Sequence, residues 1–539
     1  MKIAIVQFNP VVGDLTGNAD RIIAFCHRAM RKGAVAIVFP ELAITGYPPE
    51  DLLFRDDFIT GVEKELERIS SASPLLTVIV GYPERADGAL FNSVGVLRAG
   101  ELVANYRKQR LPNYGVFDEK RYFQAGTQVS TFPLGAETVG LTICEDIWTE
   151  NVCQQLKQAG ATLIINLNAS PFEINKASKR ERTVQTRVSE IGLPIIYLNQ
   201  VGGQDELVFD GNSFVISAHG CIVQRMSAFV EQMSYVEVEL GNILKSDSPA
   251  TAMSTLESIY QALVLGVRDY VSKNGFNGVV LGLSGGIDSA LVLAVAVDAL
   301  GSECIEVVLM PSKYTADMSN EDAIKQAQAL GVKHQTIPIE PAVTAFSAML
   351  APAFEGLDAD VTEENIQARS RGVLLMAIAN KKRKILLTTG NKSEMAVGYA
   401  TLYGDMSGGF APIKDVPKML VYALAKYRNE ISPVIPERVI TRAPSAELAL
   451  DQKDEDSLPP YPVLDDILQR YIELDQSKRE ILEAGHKAAE VDRVLKLVEQ
   501  NEYKRRQAPP GVKITSRAFG RERRFPMTSG FSKTLFKDK

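Results

Sequence analysis

The sequence is poor in cysteine and carries no excess of positive charge. Its five cysteines are irregularly spaced and include no Cys-x-x-Cys pair, which argues against a disulfide framework or a structural zinc site. The formal net charge of −7 argues against nucleic acid as the main partner. No apolar run reaches membrane-spanning length and no signal peptide precedes the first predicted strand, so we expect a cytoplasmic protein with reduced thiols and no membrane association.

The pattern of apolar and polar residues divides the 539-residue chain into two large parts. Residues 246–254 are mostly small and polar and include Pro249, which is typical of a linker. The sequence therefore predicts one domain over residues 1–245 and another over residues 255–539. Strand and helix patterns alternate in both parts, which indicates α/β layers. In the second part the alternation predicts a doubly wound parallel sheet that binds ligands at the carboxyl ends of its strands.

A glycine-rich turn in the second part predicts a phosphate site. Apolar residues 279–283 indicate a buried strand, and the apolar run 290–300 indicates a helix. Between them, two glycines let the backbone approach a ligand, and the helix N-terminus offers free N–H groups. No Gly-Lys-Ser/Thr follows, so the turn is not a Walker A loop, and Asp288 adds a carboxylate that suits Mg²⁺ bridging phosphates. The predicted cradle consists of Gly282, Leu283, Ser284, Gly285, Gly286, Ile287, Asp288 and Ser289.

Three residues in the first part form a candidate centre for thiol chemistry. Glu41 and Cys144 each follow a predicted strand, and Lys108 lies in a basic segment. Loops at strand ends are where α/β folds place reacting groups. A cysteine nucleophile needs a base that takes its proton and a cation that stabilises the developing oxyanion, and these residue types supply all three roles. Taken singly, each has an ordinary structural explanation, since a free cysteine is most often a small buried apolar residue.

The surroundings of these residues resemble the nitrilase/amidase superfamily over roughly residues 1 to 240. The matching segments are Phe-Pro-Glu41-Leu, then Lys108 with Leu-Pro-Asn-Tyr shortly after it, and then Ile-Cys144-Glu-Asp-Ile-Trp. The resemblance implies an αββα sandwich in which Glu41 is the general base, Lys108 stabilises the oxyanion and Cys144 is the nucleophile. It also suggests Glu119 as a second carboxylate that orients the base.

The same resemblance implies a glutamine site. An amino-acid substrate needs partners for its carboxylate and for its ammonium group. In the glutaminase branch of the superfamily, the positions that contact glutamine match Tyr114, Ser170 and Lys176. The residues alone leave open an alternative in which Ser170 caps a helix and Lys176 is solvated.

The second part resembles two related families. Ser284-Gly-Gly-Ile-Asp-Ser289 is similar to the signature of ATP pyrophosphatases, which activate a carboxylate or carbonyl group by adenylation. Four further motifs look like those of NAD synthetases: Thr-Thr-Gly-Asn-Lys-Ser-Glu394, Leu-Tyr-Gly-Asp405, Ala-Pro-Ser445 and Tyr-Lys504-Arg-Arg. Joined to a nitrilase-like part, they resemble the bacterial glutamine-dependent NAD synthetase family. The resemblance implies that ammonia from glutamine amidates deamido-NAD to NAD while ATP is converted to AMP and pyrophosphate.

The resemblance also implies roles for single residues of the second part. The implied ATP contacts are the cradle together with Thr389, Lys418 and Ser445. The implied Mg²⁺ ligands are Asp288 and Glu394. The implied deamido-NAD contacts are Asn365, Glu394 and Lys504. By analogy with both families, we expect a homo-oligomer with dimeric contacts.

Three positions depart from the pattern of ammonia-dependent relatives. Those relatives usually have lysine where this chain has Leu402, aspartate where it has Gly409 and histidine where it has Tyr503. How the nicotinate end is held therefore stays open. Two alternatives also remain: an amidotransferase that aminates another adenylated acceptor, and a stand-alone amidase whose second part senses nucleotide. The pair of candidate metal carboxylates argues against sensing, because sensing needs no catalytic metal.

Charged segments near the C-terminus carry further expectations. Residues 451–456 are predicted to form a solvated loop. The basic residues from 504 to 524 suggest a polyanion site on charge alone, although the acidic chain as a whole argues against nucleic acid. Arg369 and Arg371 open a predicted helix that runs to about residue 380, and they are candidates for contact with phosphate or adenylate.

Overall fold

The computed structural model describes residues 1–246, 250–449, 452, 454–531 and 535. Residues 247–249 of the predicted linker lie outside the described residues. The chain forms two compact units, Met1–Ser254 and Thr255–Lys539. Within the described part of the chain, no helix is both long enough and apolar enough to cross a membrane.

Two large β-sheets form the centre of the first unit. Its strands are β1 (Lys2–Gln7), β2 (Ala36–Val38), β3 (Thr77–Ala86), β4 (Ala89–Arg98), β5 (Glu101–Arg107), β6 (Thr131–Leu134), β7 (Glu137–Ile143), β8 (Leu163–Asn168), β9 (Ile195–Asn199), β10 (Val201–Gln204), β11 (Leu207–Asp210), β12 (Phe214–Ile216), β13 (Ile222–Arg225), β14 (Gln232–Glu239) and β15 (Asn242–Ser246). One sheet has the order β15-β14-β1-β2-β3-β4-β5 and the other has the order β13-β12-β9-β8-β7-β6, while β10 and β11 form a separate hairpin.

The helices of the first unit are amphipathic and pack on these sheets. They are α1 (Leu15–Arg31), α2 (Asp56–Ala72), α3 (Glu150–Gln158) and α4 (Lys176–Ile191). The side chain of Asp14 accepts a hydrogen bond from the Gly17 N–H and caps the N-terminus of α1.

The alternation of side chains along β1 shows how the layers stack. Ile3 and Ile5 lie in one core with Leu141 of β7 and other residues of the second sheet. Val6 faces the opposite way and packs in a second core with Ile22 of α1. Successive residues of a strand point to opposite faces, so the two sheets face each other and helices cover their outer faces. The predicted αββα sandwich is confirmed.

The second unit is built on a parallel sheet. Its strands are β16 (Val279–Gly282), β17 (Ile305–Leu309), β18 (Lys333–Thr336) and β19 (Ile385–Leu387), in the order β18-β17-β16-β19. Its helices are α5 (Thr255–Lys273), α6 (Ile287–Leu300), α7 (Asp317–Ala329), α8 (Glu340–Leu350), α9 (Val361–Lys382), α10 (Lys392–Val397), α11 (Lys418–Ile431), α12 (Glu437–Thr441), α13 (Tyr461–Leu468), α14 (Lys478–Glu483), α15 (Ala488–Gln500) and α16 (Glu502–Arg505).

The core of the second unit places the predicted cradle at a strand end. Val280 of β16 and Leu386 of β19 pack against Ala379 of α9. The strand β16 runs into the glycine turn, and α6 begins at Ile287 directly after it. The expected doubly wound architecture is confirmed, and the glycine turn that is predicted to bind phosphate lies at the carboxyl edge of the sheet.

The basic C-terminal residues lie partly inside the second unit. Arg505 and Arg523 are buried, and both donate to the Glu502 carboxylate, at 2.9 and 3.0 Å. These two arginines therefore balance an internal carboxylate, and their charge is not offered to an external polyanion. An apolar cluster around Leu464 of α13 and Leu495 of α15 packs beside them.

Candidate active sites

A buried lysine between two carboxylates forms the centre of the first unit. Glu41 follows β2 in a turn, and Lys108 follows β5 directly. The Lys108 Nζ donates to Glu41 Oε1 at 2.7 Å and to Glu119 Oε1 at 2.8 Å, with the lysine and Glu41 side chains fully buried. Burial alone lowers the pKa of Lys108, but the two carboxylates outweigh it and hold this pKa well above its ordinary value. The structure thus brings three of the sequence-predicted residues together as one ion cluster.

The Glu41 carboxylate is held by two further donors. The Asn92 side-chain Nδ2 donates to Glu41 Oε1 at 2.7 Å, and the Ala169 N–H donates to Oε2 at 2.9 Å. The backbone carbonyl oxygen of Asn92 also accepts a hydrogen bond from the backbone N–H of Lys108 at 2.8 Å. Asn92 therefore contacts both the predicted base and the residue that carries the predicted cation, and sequence reasoning missed it.

Glu119 is the second carboxyl group that contacts Lys108. It lies in a short 3₁₀ turn, Glu119–Arg121, and accepts from the Tyr47 hydroxyl at 2.9 Å. Burial raises the pKa of Glu119 to about 7, against the opposing effect of Lys108 and with an added increase from the Glu41 charge. A carboxyl with this pKa changes its charge near neutral pH.

Cys144 lies at a strained turn beside this cluster. It directly follows β7 and opens the 3₁₀ turn Cys144–Trp148, with a φ angle of 43° in the left-handed region. Burial raises the pKa of the Cys144 thiol well above its ordinary value, Glu41 raises it further, and Lys108 opposes both effects. The resting thiol is therefore neutral, so it has to lose its proton to a nearby base before it attacks.

Two of the three predicted glutamine contacts, Tyr114 and Lys176, lie near the cysteine. The Tyr114 hydroxyl donates to Glu145 Oε1 at 3.0 Å, next in sequence to the cysteine. Lys176 lies 5.2 Å from the centre of the Trp148 ring, and burial lowers its pKa. Ser170 is buried after β8 and neither caps α4 nor faces solvent. Negative charge on Cys144 acts to raise the pKa of both Tyr114 and Lys176, so these two groups lie near the thiol.

A buried arginine fixes the segment of Ser170. The Arg180 Nη1 donates to both carboxylate oxygens of Asp210, at 2.7 and 2.9 Å. Its Nη2 donates to the carbonyl oxygens of Ser170 and Pro171, at 2.7 and 2.8 Å, and its Nε donates to Ser170 Oγ at 3.1 Å. A bidentate pair with this many hydrogen bonds is well satisfied and rigid, so the position of Ser170 is well defined.

The second unit contains a cavity of about 290 Å³ at the carboxyl edge of its sheet. The glycine turn is one wall of it. Gly285 has a φ angle of +80°, and a Cβ there would lie 2.2 Å from the Ser319 carbonyl oxygen, so only glycine fits. The sequence-predicted residues that line the cavity are Gly282, Leu283, Ser284, Gly286, Ile287, Asp288, Ser289, Thr389, Glu394, Lys418 and Ser445.

Another lysine lies between two carboxylates at this cavity. The Lys418 Nζ donates to Asp288 Oδ2 at 2.5 Å and to Glu394 Oε1 at 3.1 Å. Asn391, which caps α10, donates from its side chain to Asp288 Oδ1 at 2.8 Å. Burial raises the pKa of Glu394 to about 8, with Lys418 opposing the change and the Asp288 charge adding to it. Two carboxylates this close to each other favour a cation between them, which here is the ammonium group.

The predicted contacts with deamido-NAD fall into two groups. Glu394 lines the cavity, whereas Asn365 and Lys504 form hydrogen bonds with a loop next to it. Asn365 Oδ1 accepts from the Thr401 hydroxyl at 2.9 Å, and the Lys504 Nζ donates to the carbonyl oxygens of residues 398 and 400 at 2.7 and 2.8 Å. Both side chains thus support the loop whose Tyr399 and neighbours line the cavity.

The structure corrects one prediction about charged residues near the cavity and decides between two candidate arginines. Asp454 is buried, accepts from the Tyr461 hydroxyl at 2.8 Å and lines the cavity, so the prediction of a solvated segment is wrong there. Residues 451 and 453 of that segment lie outside the described residues. Of the two helix arginines, Arg371 lines the cavity, whereas Arg369 is exposed and donates to the Leu402 carbonyl oxygen.

Comparisons with known proteins divide the chain in the same way. The carbon-nitrogen hydrolase family model matches residues 2–245, and the NAD synthase family model matches residues 259–508. The chain is 47% identical to the glutamine-dependent NAD(+) synthetase of Acinetobacter baylyi over 98% of both chains. It is 50% identical to that of Xanthomonas campestris over 99% of this chain and 98% of the relative. It is also similar to the solved structure of this synthetase from Acinetobacter baumannii with ADP, with a TM-score of 0.80, 45% identity and coverage of 98% and 99%.

Proposed function

Because the chain belongs to the family of glutamine-dependent NAD(+) synthetases, we propose how its two centres divide the reaction. The enzyme amidates deamido-NAD to NAD with ammonia released from glutamine, and ATP is converted to AMP and pyrophosphate. The observation that carries the division is that each unit has its own buried lysine between two carboxylates, one beside a cysteine and one beside a glycine cradle.

In the first unit we assign the roles of the glutaminase to the cysteine cluster. Glu41 takes the proton of Cys144, and the sulfur attacks the carboxamide carbon of glutamine. The ammonium group of Lys108 stabilises the negative charge that develops on the carbonyl oxygen. Glu41 then returns the proton to the leaving nitrogen, ammonia departs, and water hydrolyses the glutamyl thioester to glutamate. The three donors on Glu41 support this role because they keep the base in one orientation.

The glutamine itself is assigned to the side chains of Tyr114, Ser170 and Lys176. Lys176 is the cation in this group, and its partial burial strengthens its attraction for a carboxylate. Ser170 and Tyr114 supply hydroxyl groups, of which that of Ser170 is fixed by Arg180. The position of Tyr114 and Lys176 near Cys144 supports binding of the amino-acid end of glutamine rather than a solvated role for Lys176.

In the second unit we assign ATP to the cradle and its cavity. The N–H groups of the glycine turn and the N-terminus of α6 suit phosphate oxygens. Thr389, Lys418 and Ser445 line the same cavity and complete the proposed ATP contacts. An oxygen of the nicotinate carboxylate is a poor leaving group. Adenylate is therefore transferred to this carboxylate before ammonia attacks it. Asn365 and Lys504 are assigned to the deamido-NAD site through the loop that they hold, together with Glu394.

The residues at the cavity fit Mg²⁺. This ion is usually bound in nucleotide sites by one or two carboxylates together with substrate phosphates. Asp288 and Glu394 both face the Lys418 ammonium, at 2.5 and 3.1 Å, so they already share one position of positive charge. We propose that these two carboxylates hold Mg²⁺ with ATP; when bound, the metal would neutralise phosphate charge.

We also propose a cytoplasmic homo-oligomer with dimeric contacts. Large apolar side chains are exposed on two neighbouring helices of the second unit, namely Met349 on α8 and Val373 on α9, at 66% and 65%. Exposed apolar surface of this kind supports self-association. All five cysteines are free, which supports a reducing compartment. Light scattering behind size exclusion tests the association, and a mass equal to one chain at micromolar concentration would contradict it.

An assay with two nitrogen donors tests the division of labour. The purified chain is given deamido-NAD, ATP and Mg²⁺ with either glutamine or an ammonium salt, and NAD and glutamate are measured. Cys144→Ala should abolish glutamine hydrolysis and glutamine-driven synthesis and leave ammonium-driven synthesis intact. Asp288→Ala should abolish synthesis with both donors and leave glutamine hydrolysis. Cys26→Ala, which removes another buried cysteine of the first unit, is the matched control. Equal loss of both activities in Cys144→Ala would refute the assignment.

A further inference from the structure

A carboxylate two residues after the nucleophile is surrounded by hydrogen-bond donors. Asp146 is fully buried in the turn that begins at Cys144. Its Oδ2 accepts from the Tyr106 hydroxyl at 2.7 Å and from the Ile143 N–H at 3.0 Å. Its Oδ1 accepts from the N–H groups of the two residues after Lys108, at 3.1 and 2.8 Å.

These four bonds connect the two halves of the glutaminase centre. Ile143 directly precedes Cys144, whereas Tyr106 and the two N–H donors flank Lys108 on both sides. We propose that Asp146 is a positioning residue of the glutaminase reaction, whose carboxylate fixes the turn of Cys144 against the segment of Lys108. The proposal rests on the proposed role of Cys144 as the nucleophile.

The geometry requires a carboxylate at this position. Each of the two carboxylate oxygens accepts hydrogen bonds from two donors. A buried charge without an ion pair is tolerated only when such bonds satisfy it. An asparagine of the same shape can serve one pair of donors but presents its NH₂ group to the other pair. Asparagine therefore keeps the volume of the side chain and breaks the connection.

The strained backbone of Cys144 explains why the turn has to be held in place. Cys144 has a φ angle of 43°, which is unfavourable for a residue with a Cβ atom. Strained backbone of this kind persists when the surrounding structure holds it in place. The bond to the Ile143 N–H holds the turn from one side, and the bonds to the Lys108 segment hold it from the other. An error of about 1 Å between a nucleophile and its cation costs about 100-fold in rate.

Another buried aspartate of the same unit provides a matched control. Asp210 is buried like Asp146, but it pairs with Arg180, which fixes the glutamine-contacting Ser170. If both aspartates only maintain the fold, their asparagine variants lose activity in the same way. If Asp146 acts through Cys144 and Lys108, its loss lowers kcat, whereas loss of Asp210 raises the KM for glutamine.

The experiment compares glutamine hydrolysis in the full-length variants Asp146→Asn and Asp210→Asn. Asp146→Asn should lower kcat about 100-fold with KM within about threefold of the parent, and should slow alkylation of Cys144 by iodoacetamide. Asp210→Asn should raise KM about tenfold with little change in kcat. Tyr106→Phe, which removes one of the four donors, should lower kcat about fivefold and decides the matter if Asp146→Asn does not fold.

Three outcomes would overturn the proposal. They are an unchanged kcat in Asp146→Asn, the same pattern of kcat and KM in both aspartate variants, and an unchanged kcat in Tyr106→Phe when Asp146→Asn is insoluble. The variant Cys144→Ala, measured in the same assay, shows whether a negative result concerns only the role of Asp146 or also the proposed role of Cys144. If Cys144→Ala still hydrolyses glutamine, the assignment of the nucleophile is wrong, whatever Asp146 does.

Discussion

Replacing Glu119 with glutamine is expected to stabilise the first unit at alkaline pH and to slow glutamine hydrolysis. Glu119 Oε1 accepts from Lys108 and from Tyr47, at 2.8 and 2.9 Å, while Oε2 is buried with no hydrogen-bond partner among the described residues. The oxygen of a glutamine side chain can keep both bonds, and its NH₂ group takes the place of Oε2. The substitution therefore removes the charge and preserves the shape.

The size of the expected change in the free energy of unfolding follows from the pKa shift of Glu119 between the folded and unfolded states. Burial raises the pKa of Glu119 from 4.5 to about 7. Because the folded pKa lies above the unfolded one, the stability associated with this proton is fully present below pH 4.5 and is lost as the pH rises through 7. Between pH 5.5 and pH 8 the loss amounts to about 2 kcal/mol. Glutamine does not titrate, so the stability of the variant relative to the parent should grow by this amount over the same interval.

The single tryptophan of the chain provides the assay. Trp148 lies four residues after Cys144 in the first unit, so its fluorescence reports unfolding of that unit in a urea titration. The free energies of unfolding of the parent and of Glu119→Gln are compared at pH 5.5 and pH 8, and glutamine hydrolysis is expected to fall about 10- to 100-fold because the charge around Lys108 changes. A difference in stability that is constant with pH, or that shrinks as the pH rises, would refute the reasoning.

Three further substitutions test other contacts. Gly285→Ala places a Cβ 2.2 Å from the Ser319 carbonyl oxygen, so ATP-dependent synthesis should be lost while glutamine hydrolysis, measured in the same preparation, stays within about twofold. Lys418→Met removes a buried cation from between two carboxylates that line the cavity, so the second unit should lose about 3–5 kcal/mol of stability and synthesis should stop with either nitrogen donor; survival of ammonium-driven synthesis would contradict this. Asn92→Ala removes a donor from Glu41, so kcat for glutamine should fall about tenfold with ammonium-driven synthesis unchanged, and an unaltered kcat would show that Asn92 does not position the base.

The sequence predicts best those residues whose chemistry is tied to a local pattern. The cradle can be recognised because its glycines, its aspartate and the start of α6 are adjacent in the chain. The proposed base, cation and nucleophile of the first unit are each indicated by the residues next to them in the sequence. The alternation of strands and helices predicts the layers, because buried strands leave short apolar runs between polar turns.

Residues that act through distant partners could not be predicted in this way. Asn92 lies on a strand and meets Glu41 across 51 positions, and Asn391 meets Asp288 across 103. Asparagine in a strand or at a helix cap has an ordinary explanation, and only the register of the folded chain shows which carboxylate it meets. The same limit affects Asp454, whose charged neighbours indicate a solvated segment while its tertiary partner is the Tyr461 hydroxyl.

The two centres use one arrangement of charges in different ways. At Lys108 the side chains of the lysine and of both carboxylates are at most 5% exposed, so no ligand can take the place of either carboxylate. At Lys418 the lysine is 2% exposed, but Asp288 and Glu394 are each 17% exposed and line the cavity. A fixed lysine suits a reaction in which charge develops at one carbonyl oxygen. A lysine whose partners face a cavity suits a reaction in which phosphate charge arrives with ATP and leaves as pyrophosphate, because the phosphates can compete for the same ammonium group. The difference in exposure therefore matches the difference in chemistry between the two centres.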